Sequence, residues 1–443
     1  MQEVTCPNCE RLWRRVEELE AWNSKLKREN AELKHRLAAY ENAHTAPSQR
    51  KFPFRRCHDY GGPRYPGRPK GYLGRTRQTP KPDLTLKAET DHCPHCGSPL
   101  DMPTSVKRRV IEEIPEPQPK QVIEFLEANY DCPRCGAHVA ARNPDIPSEG
   151  RFGRNVYVQT TLMRYEERLP LRKVKAALER RNLTVTPSTV LEVLRRASTW
   201  LRPEYERILQ RIRSADVVYT DETGMKVDGK RYWIWAFTTM TETLVAIRKS
   251  RGKNVLKEML GDDFKGIIVC DGWKSYPNFT SRIQRCWAHL LREARYLAER
   301  IDEAKPLSEA LHELYSRFKD PPQDKPPPEE AHRLVEDAKT AMDRWAAKPY
   351  KTYEVRRFAV KIRNGIDHWF TFLTTPGVEP TNNRAERALR EHVVQRKIIG
   401  TLRNHKGIFI HETITTALAT WKQQGRDPSK MLANNLSLKW QNS

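Results

Sequence analysis

The first forty residues place their apolar positions on a seven-residue beat. Leu12, Leu19, Leu26, Leu33 and Tyr40 recur every seventh position, and Val16, Asn23, Asn30 and Leu37 follow each leucine by four. Glu and Lys flank the seam, and no proline interrupts it between Pro7 and Pro47. With the leucines at d, both asparagines fall at a, the placement that selects a parallel dimeric coiled coil in one register. The alternative is an amphipathic helix packed on its own chain, which two buried asparagines suit poorly. Farther on, Leu171–Arg181 has helical spacing and leads through Asn182-Leu183-Thr184-Val185 into a second helix. Thr186, Pro187, Ser188 and Thr189 open that helix with a cap, a first-turn proline and hydroxyls. The spacing suits a helix-turn-helix whose Thr186, Ser188 and Thr189 read a major groove, with a plain helical hairpin as the alternative.

Between residues 214 and 300 the period changes from helical to alternating. Strands are predicted at Asp216–Thr220, Lys230–Thr239 and Thr243–Lys249, with Asp228-Gly229 as a tight hairpin signal. A helix near Asn254–Leu260 follows, then strands Gly266–Cys270 and Ile283–Cys286 and a helix His289–Arg300. Three antiparallel strands, a helix and a further strand is the order of a ribonuclease-H-like fold. Residues 301–380 turn helical and charged, broken by Pro321-Pro322 and Pro326-Pro327-Pro328, and read as an insertion. Thr381 or Asn382 then caps a helix carrying Glu386, Arg387, Arg390 and Arg396.

The expected architecture is therefore multidomain α/β: a ribonuclease-H-like core with a helical insertion, preceded by coiled coil, zinc ribbon and helix-turn-helix-like region. The expected boundaries are a coiled-coil helix over 1–46, a basic flexible linker over 47–90, a zinc ribbon over 91–140 and a helical DNA-binding region over 141–213. The catalytic core follows at 214–300, the insertion at 301–380, the last core helix at 381–405 and a C-terminal tail at 406–443. A chain of 443 residues is too long for one ordinary core.

Charge narrows the partner. Lys and Arg number 79 against 56 Asp and Glu, a formal net charge of +23. Such a surplus attracts polyphosphate with salt-sensitive affinity and points to nucleic acid. No apolar run approaches the ~18 residues that span a bilayer and no signal-peptide core follows Met1, so a cytoplasmic, membrane-free protein is expected. From Ala46 to Pro82, ten Lys/Arg and seven Pro face one acid, Asp59, a composition that forms no core. Within it Arg68 and Lys70, in Gly67-Arg68-Pro69-Lys70-Gly71, match a short minor-groove hook, with a solvated basic linker as the alternative.

Cysteine spacing adds a metal. Cys93-Pro94-His95-Cys96-Gly97 and Cys132-Pro133-Arg134-Cys135-Gly136 are two Cys-Pro-x-Cys-Gly knuckles separated by 35 residues, with β-type stretches Val106–Ile114 and Gln121–Tyr130 between them. Cys93, Cys96, Cys132 and Cys135 are the ligand set of a structural Zn²⁺ in a zinc ribbon. Cys6/Cys9 lacks a clear second half, whether Cys57-His58 or a partner chain completes it or the thiols stay free.

Three carboxylates carry the candidate chemistry. Asp221 ends the apolar run 217–220, Asp271 ends 266–270, and Glu386 lies in the first turns of its helix. Two acids at strand ends and one on a later helix can converge on two hard cations, Mg²⁺ or Mn²⁺, the arrangement that clamps both oxygens of a phosphodiester displacement. Each acid alone reads as a solvated turn residue; it is their order that favours catalysis.

The blocks Asp221-Glu222-Thr223-Gly224 with Trp233-Ile234-Trp235, Cys270-Asp271-Gly272-Trp273-Lys274-Ser275-Tyr276, Cys286-Trp287-Ala288-His289-Leu290-Leu291-Arg292 and Thr381-Asn382-Asn383-Arg384-Ala385-Glu386-Arg387-Ala388-Leu389-Arg390 together resemble the transposases of the insertion sequence 66 family. The resemblance extends to the zipper, the basic linker, the cysteine knuckles and Gly425-Arg426-Asp427-Pro428. Where family members often carry Gly-Gly-x-Pro-Gly-His, this linker has Gly67–Gly71 without the histidine. The resemblance implies a DDE triad of Asp221, Asp271 and Glu386 that binds two Mg²⁺ or Mn²⁺, cuts at the ends of an insertion sequence and joins the freed 3′ hydroxyl to target DNA. It implies support from Asn382, Asn383, Cys286 and His289, the last two structural or DNA-positioning, with a catalytic role as the alternative. On the helix of Glu386, Arg387, Arg390 and Arg396 are expected to meet DNA phosphates, and Trp233, Trp235 and Trp273 to be core, with stacking on a flipped base as the alternative. It also implies a homodimer or higher oligomer on double-stranded DNA (terminal repeats and target) in the nucleoid of a prokaryote, with accessory proteins of the same element as further partners. Two other classes fit parts of the pattern: a ribonuclease-H-like nuclease without strand transfer, and a non-catalytic zinc-ribbon DNA-binding regulator.

Overall fold

Strands rich in Val, Ile and Trp with apolar residues at both odd and even positions must be covered on both faces, and the sheet at the centre of this protein is. The computed structural model describes residues 7–38, 150–318 and 328–441, with 81–83, 85–86, 90, 92, 94–99, 108, 110, 120–126 and 128–140. The chain divides into two compact units, residues 52–120 and the remainder. Arg68, Lys70, Cys93 and most of the basic linker lie outside the described residues.

Helix α1 (Pro7–Ala38) begins on a proline, which the first helical turn tolerates. Its described side chains are all exposed, among them Val16, Leu19, Trp22 and Leu26. In the smaller unit, an antiparallel bridge between His92 and Pro99 closes the turn through Cys96, with Gly97 at φ +74°. In the larger unit, β1 (Asn129–Asp131) and β2 (His138–Ala140) form a hairpin around Cys132–Gly136. Of the β stretch expected at Gln121–Tyr130, residues 121–126 are extended coil and only the last two residues enter β1. Of Val106–Ile114, only Arg108 and Val110 are described, and neither is in a strand.

The sheet contains β3 (Val217–Val227), β4 (Lys230–Thr238), β5 (Thr243–Arg248), β6 (Ile267–Cys270) and β7 (Ile283–Arg285), in the spatial order β5-β4-β3-β6-β7. The first three are antiparallel and the last two join parallel. Asp228 and Gly229 both have positive φ, +52° and +72°, the two-residue turn whose twist matches a hairpin. Alternation assigns the faces. Val218, Trp235, Phe237, Ile268 and Cys270 pack with Ile208 and Ile212 of α4 (Pro187–Arg213) and Leu256 of α5 (Lys253–Leu260). On the opposite face, Tyr219, Ile267 and Val269 meet α6 (Trp287–Ala298) and the helical insertion α7 (Lys305–Phe318), α8 (Pro328–Ala346), α9 (Tyr353–Arg363) and α10 (Thr371–Thr374). Beside them, Met225, Ile234 and Ala236 pack against Leu389 of α11 (Asn383–Ile399).

Residues 406–443, which offer only a tail as sequence, are core in the structure. Helices α12 (His405–Gln423) and α13 (Pro428–Gln441) share one apolar cluster with α2 (Arg154–Tyr165), α3 (Leu171–Glu179) and α4, centred on Leu194, Leu201, Ile414, Trp421, Leu436 and Trp440. Helix α12 also closes the open edge of β5. The amides of Thr243 and Val245 donate to Thr420 Oγ1 at 3.0 Å and Thr416 Oγ1 at 2.9 Å, and that of Ile247 donates to the Glu412 carboxylate. These three acceptors sit four residues apart on one helical stripe, matching alternate amides of the strand. A sheet edge left bare invites pairing with other chains, and here side chains cap it.

Trp421 is fully buried in that cluster and its indole N–H reaches Glu204. Trp421→Ala is expected to lower the unfolding free energy by about 3–5 kcal/mol in urea denaturation; unchanged stability would mean that α12 does not hold the N-terminal helices to the sheet.

Candidate active site

The pairing of β3 with β6 runs from Val217↔Ile267 to Tyr219↔Val269. Continued by two residues, this register puts Asp221 level with Asp271. Asp221 is thus in the middle of β3, not at a strand end as its flanking sequence suggested; what ends there is the partner, β6. Beyond that point β3 continues its pairing with β4, and on its other side it makes a single bridge, Val227 to Leu402, leaving a notch between Tyr219 and that bridge. Asp271 begins a tight turn in which its Oδ1 accepts the amide of Trp273 at 2.8 Å.

Helix α11 brings the third acid. Its first turn is fixed by Asn382, fully buried, whose Nδ2 donates to the Thr220 carbonyl at 2.9 Å and whose backbone amide points at Cys286 Sγ, 3.1 Å away. Asn382 occupies the cap position but makes no side-chain cap bond; its side chain ties the helix to β3 instead. Glu386, one turn in, has its Oε1 3.4 Å from Nδ1 of His289 on α6. Asn383, Arg387 and Arg390 are exposed on the same helix. Arg396 is not: its guanidinium donates to Thr223 Oγ1 and to the Gly224 carbonyl, docking the helix on β3.

The electrostatics show that the acids share one environment. Burial, then the carboxylates of Glu222, Asp271 and Glu386, push the Asp221 carboxyl well above its usual range. Adjacent strand residues point to opposite faces, so Asp221 faces α11 while Glu222 faces α5. Glu222, whose side chain is fully buried, accepts hydrogen bonds from Tyr276 Oη and from Arg251 Nε, the latter at 2.5 Å. Arg251 also lies 3.8 Å from Asp271 Oδ2. Its guanidinium is stacked over Trp273 at 4.1 Å and Trp233 at 4.9 Å, so both rings hold a cation, while Trp235 is wholly core. Arg251 and Tyr276 had no assigned role at the sequence level: nothing in a lone arginine after a strand says which carboxylate it meets.

The other residues singled out in the sequence lie elsewhere. Thr186 caps α4, accepting the Thr189 amide at 3.1 Å, and Thr186 and Ser188 are exposed. Asn182, at φ +60°, makes the turn that precedes it. In the β1–β2 hairpin the amides of Cys135 and Arg134 draw the Cys132 thiol below its usual range. Gly136 has φ +70°, as the tight turn requires. The Cys96 and Cys135 side chains are exposed.

The sequence model of the family described as Transposase IS66 family matches residues 149–409, more than half of the chain and all of the sheet, α6 and α11. The chain belongs to the IS66 transposase family. Two proteins of Sinorhizobium fredii are similar to it. "Uncharacterized protein y4qI" is 25% identical over 313 residues, 62% of this chain and 57% of that protein. "Uncharacterized protein y4jD" is 21% identical over 408 residues, 81% of this chain and 77% of that protein. The chain thus spans little more than half the length of the first relative. The family segment contains every carboxylate of the cluster together with Arg251 and Asn382.

The raised Asp221 carboxyl yields a signed prediction. The folded state holds this proton more tightly than the unfolded chain does. The cluster is therefore without penalty below the unfolded value of about 3.9, and stability falls as pH rises through the folded-state value. Without divalent metal, Asp221→Asn is expected to stabilise the protein near neutral pH, on the order of 1 kcal/mol, with the difference vanishing in acid. Added Mg²⁺ should raise the wild-type melting temperature more than that of the variant. A destabilised variant, or equal Mg²⁺ responses, would contradict the shared cluster.

Proposed function

We propose that the protein is a DDE-type transposase with a ribonuclease-H-like core, which cuts DNA at the ends of an insertion sequence and joins the freed ends to target DNA. One observation carries the reading: Asp221, Asp271 and Glu386, from three separated segments, come together beside the β3–β6 pair, where burial and the other two carboxylates penalise the charge of Asp221. Membership of the IS66 family and the strand order β5-β4-β3-β6-β7 support it.

The donor set fits divalent cations. Oxygen ligands dominate on the α11 face, and Glu386 Oε1 is buried with no hydrogen-bond partner among the described residues. Two Mg²⁺ or Mn²⁺ ions bound there would lower the pKa of an attacking water or 3′ hydroxyl and offset charge on the leaving oxygen. The chain's own residues do the rest. Arg251 and Tyr276 hold Glu222 on the far face, out of the ligand set. Asn382 fixes the first turn of α11 and so the reach of Glu386. Arg387 and Arg390, exposed on that helix, meet the phosphates flanking the scissile bond, while Thr186 and Ser188 offer hydroxyls to duplex DNA.

The exposed seam of α1 belongs to a parallel coiled coil with a second copy, Asn23 and Asn30 fixing its register. Gly97 and Gly136 take the positive φ of a knuckle turn, and the Cys-Pro-x-Cys-Gly spacing supports a structural Zn²⁺ on Cys93, Cys96, Cys132 and Cys135. Among the described residues no helix is long and apolar enough to cross a membrane.

Strand transfer with labelled element ends in Mg²⁺ or Mn²⁺ tests the activity. Asp221→Asn, Asp271→Asn and Glu386→Gln are each expected to reduce joining at least ~10³-fold, in line with loss of a metal-held charge in the transition state, with end binding intact in gel shifts. Joining retained in any one sinks the triad; nicking without joining by the wild type favours a nuclease. Leu19→Lys with Leu26→Lys should convert a dimer into monomers in analytical ultracentrifugation, and an unchanged mass would remove the coiled coil.

A further inference from the structure

Two side chains beside the carboxylates are foreign to a magnesium site. Cys286 is the N-cap residue of α6, and His289 lies one turn in. One ligand atom each from Cys286, His289 and Glu386 falls within 4.8 Å of the others, with Cys286 buried and the other two half-buried. In contrast to the oxygen-only set of Asp221 and Asp271, this trio offers sulfur, nitrogen and oxygen.

The geometry points to a second, softer cation site made by Cys286 Sγ, a ring nitrogen of His289 and the Glu386 carboxylate, suited to Zn²⁺. Three protein ligands of this type with a fourth position open is a common zinc arrangement, whereas Mg²⁺ demands oxygen and rejects a thiol. Bond lengths of about 2.0–2.3 Å place tetrahedral ligand atoms roughly 3.3–3.8 Å apart. The His289–Glu386 separation of 3.4 Å already satisfies this, and the widest separation in the trio, at most 4.8 Å, has about an ångström to close.

Burial pushes the Cys286 thiol up to about 11, so it is the geometry around the sulfur and not its acidity that suits a cation. The backbone amide of Asn382 points at it from 3.1 Å, and the amides of Ala288 and His289, at the N-terminus of α6, also donate to it. Amides converging on a sulfur are the feature that the Cys132 turn shows in the hairpin. On binding, the thiol gives its proton to solvent and the cation takes its place, so charge balances without a redox step.

Glu386 cannot serve both sites at once. A soft ion on Cys286 and His289 draws that carboxylate toward α6 and away from Asp221 and Asp271. Zn²⁺ therefore acts as an inhibitor that Mg²⁺ cannot mimic, set by which metal reaches the protein. This inhibitory part rests on the transposase reading; the binding part does not.

The test is Co²⁺ titration of the metal-stripped full chain, followed by thiolate-to-cobalt absorption and by bound cobalt per chain. The cysteine knuckles contribute a background that every variant shares. Cys286→Ser and His289→Gln are each expected to bind one cobalt fewer, or to bind that last equivalent at least ~10-fold more weakly. Asp221→Asn should keep the thiolate-to-cobalt absorption of the wild type, since Asp221 is not among the soft ligands. Cobalt stoichiometry and spectra unchanged in His289→Gln overturn the site, even if Cys286→Ser fails to fold. In the joining assay with Mg²⁺ fixed, Zn²⁺ should suppress the wild type. Zn²⁺ without effect on a joining-competent protein overturns the inhibitory role. Joining absent under every condition, with the cobalt difference present, counts against the transposase reading and supports the soft-cation site.

Discussion

Like charges gathered out of water are what the rest of this structure must accommodate. Burial and the neighbouring carboxylates, among them Asp271, raise the proton affinity of Asp221 and Glu222, and Glu386 adds to the effect on Asp221. The pleat of β3 divides Asp221 from Glu222. Glu222 is turned to the α5 face, where Arg251 and Tyr276 meet its oxygens directly. Asp221 is turned to the α11 face, where its own next amide is its hydrogen-bond donor, at 2.9 Å. One side of the strand is therefore neutralised by the protein and the other is left for something positive from outside. Arg251 is itself held between Trp233 and Trp273, and the indole of Trp273 and the hydroxyl of Ser275 both bond its carbonyl. That much support for one arginine makes sense if its task is to keep Glu222 out of the ligand set.

The sheet that presents these acids depends on segments far apart in the chain. Helices α2 to α4 precede it and α12 and α13 follow it, yet all five share one apolar cluster. Helix α12 is also the cover of edge strand β5, through Glu412, Thr416 and Thr420. Glu412 has a raised carboxyl because it is buried, and Arg248 on the same strand supplies its counter-charge at 2.6 Å. A buried ion pair of this kind adds little net stability but is severely disrupted when one partner is lost, so it fixes the register of helix on strand. Helices α2–α4 and α12–α13 thus pack as one body against the sheet.

How much of this the sequence disclosed depended on what each residue was doing. The five strands and the Asp228-Gly229 turn were legible because apolar runs buried on both faces and a two-residue positive-φ turn leave strong local signals. The extension of β3 to Val227 was not: the strand was expected only as far as Thr220, and it is pairing with β4 that carries it through Thr223, Gly224 and Lys226. Helix α12, expected only as part of a C-terminal tail, was hidden because nothing local marks its threonines as acceptors for strand amides 171 and 177 residues away. Arg396 read as a DNA contact because helix arginines are ordinarily solvated, yet its partners lie on β3. Asp221, Asp271 and Glu386 could be found since each sits where one pattern gives way to another. Alternation alone could have separated Glu222 from Asp221, but its neutralising partners come from two loops that no spacing connects.

The third acid differs from the first two in the freedom of its support. Asp221 lies within β3 and Asp271 directly follows β6, so the β3–β6 register sets their separation. Glu386 is carried by a helix laid across that sheet and held near it by neutral contacts, Asn382 to Thr220 and the Leu389 side chain, with Arg396 a few turns on. A small rotation of α11 moves its carboxylate while costing few hydrogen bonds, and the residues it would swing toward are Cys286 and His289. Placing one ligand on a helix therefore lets the set of ligands be assembled or dismantled without unfolding the core.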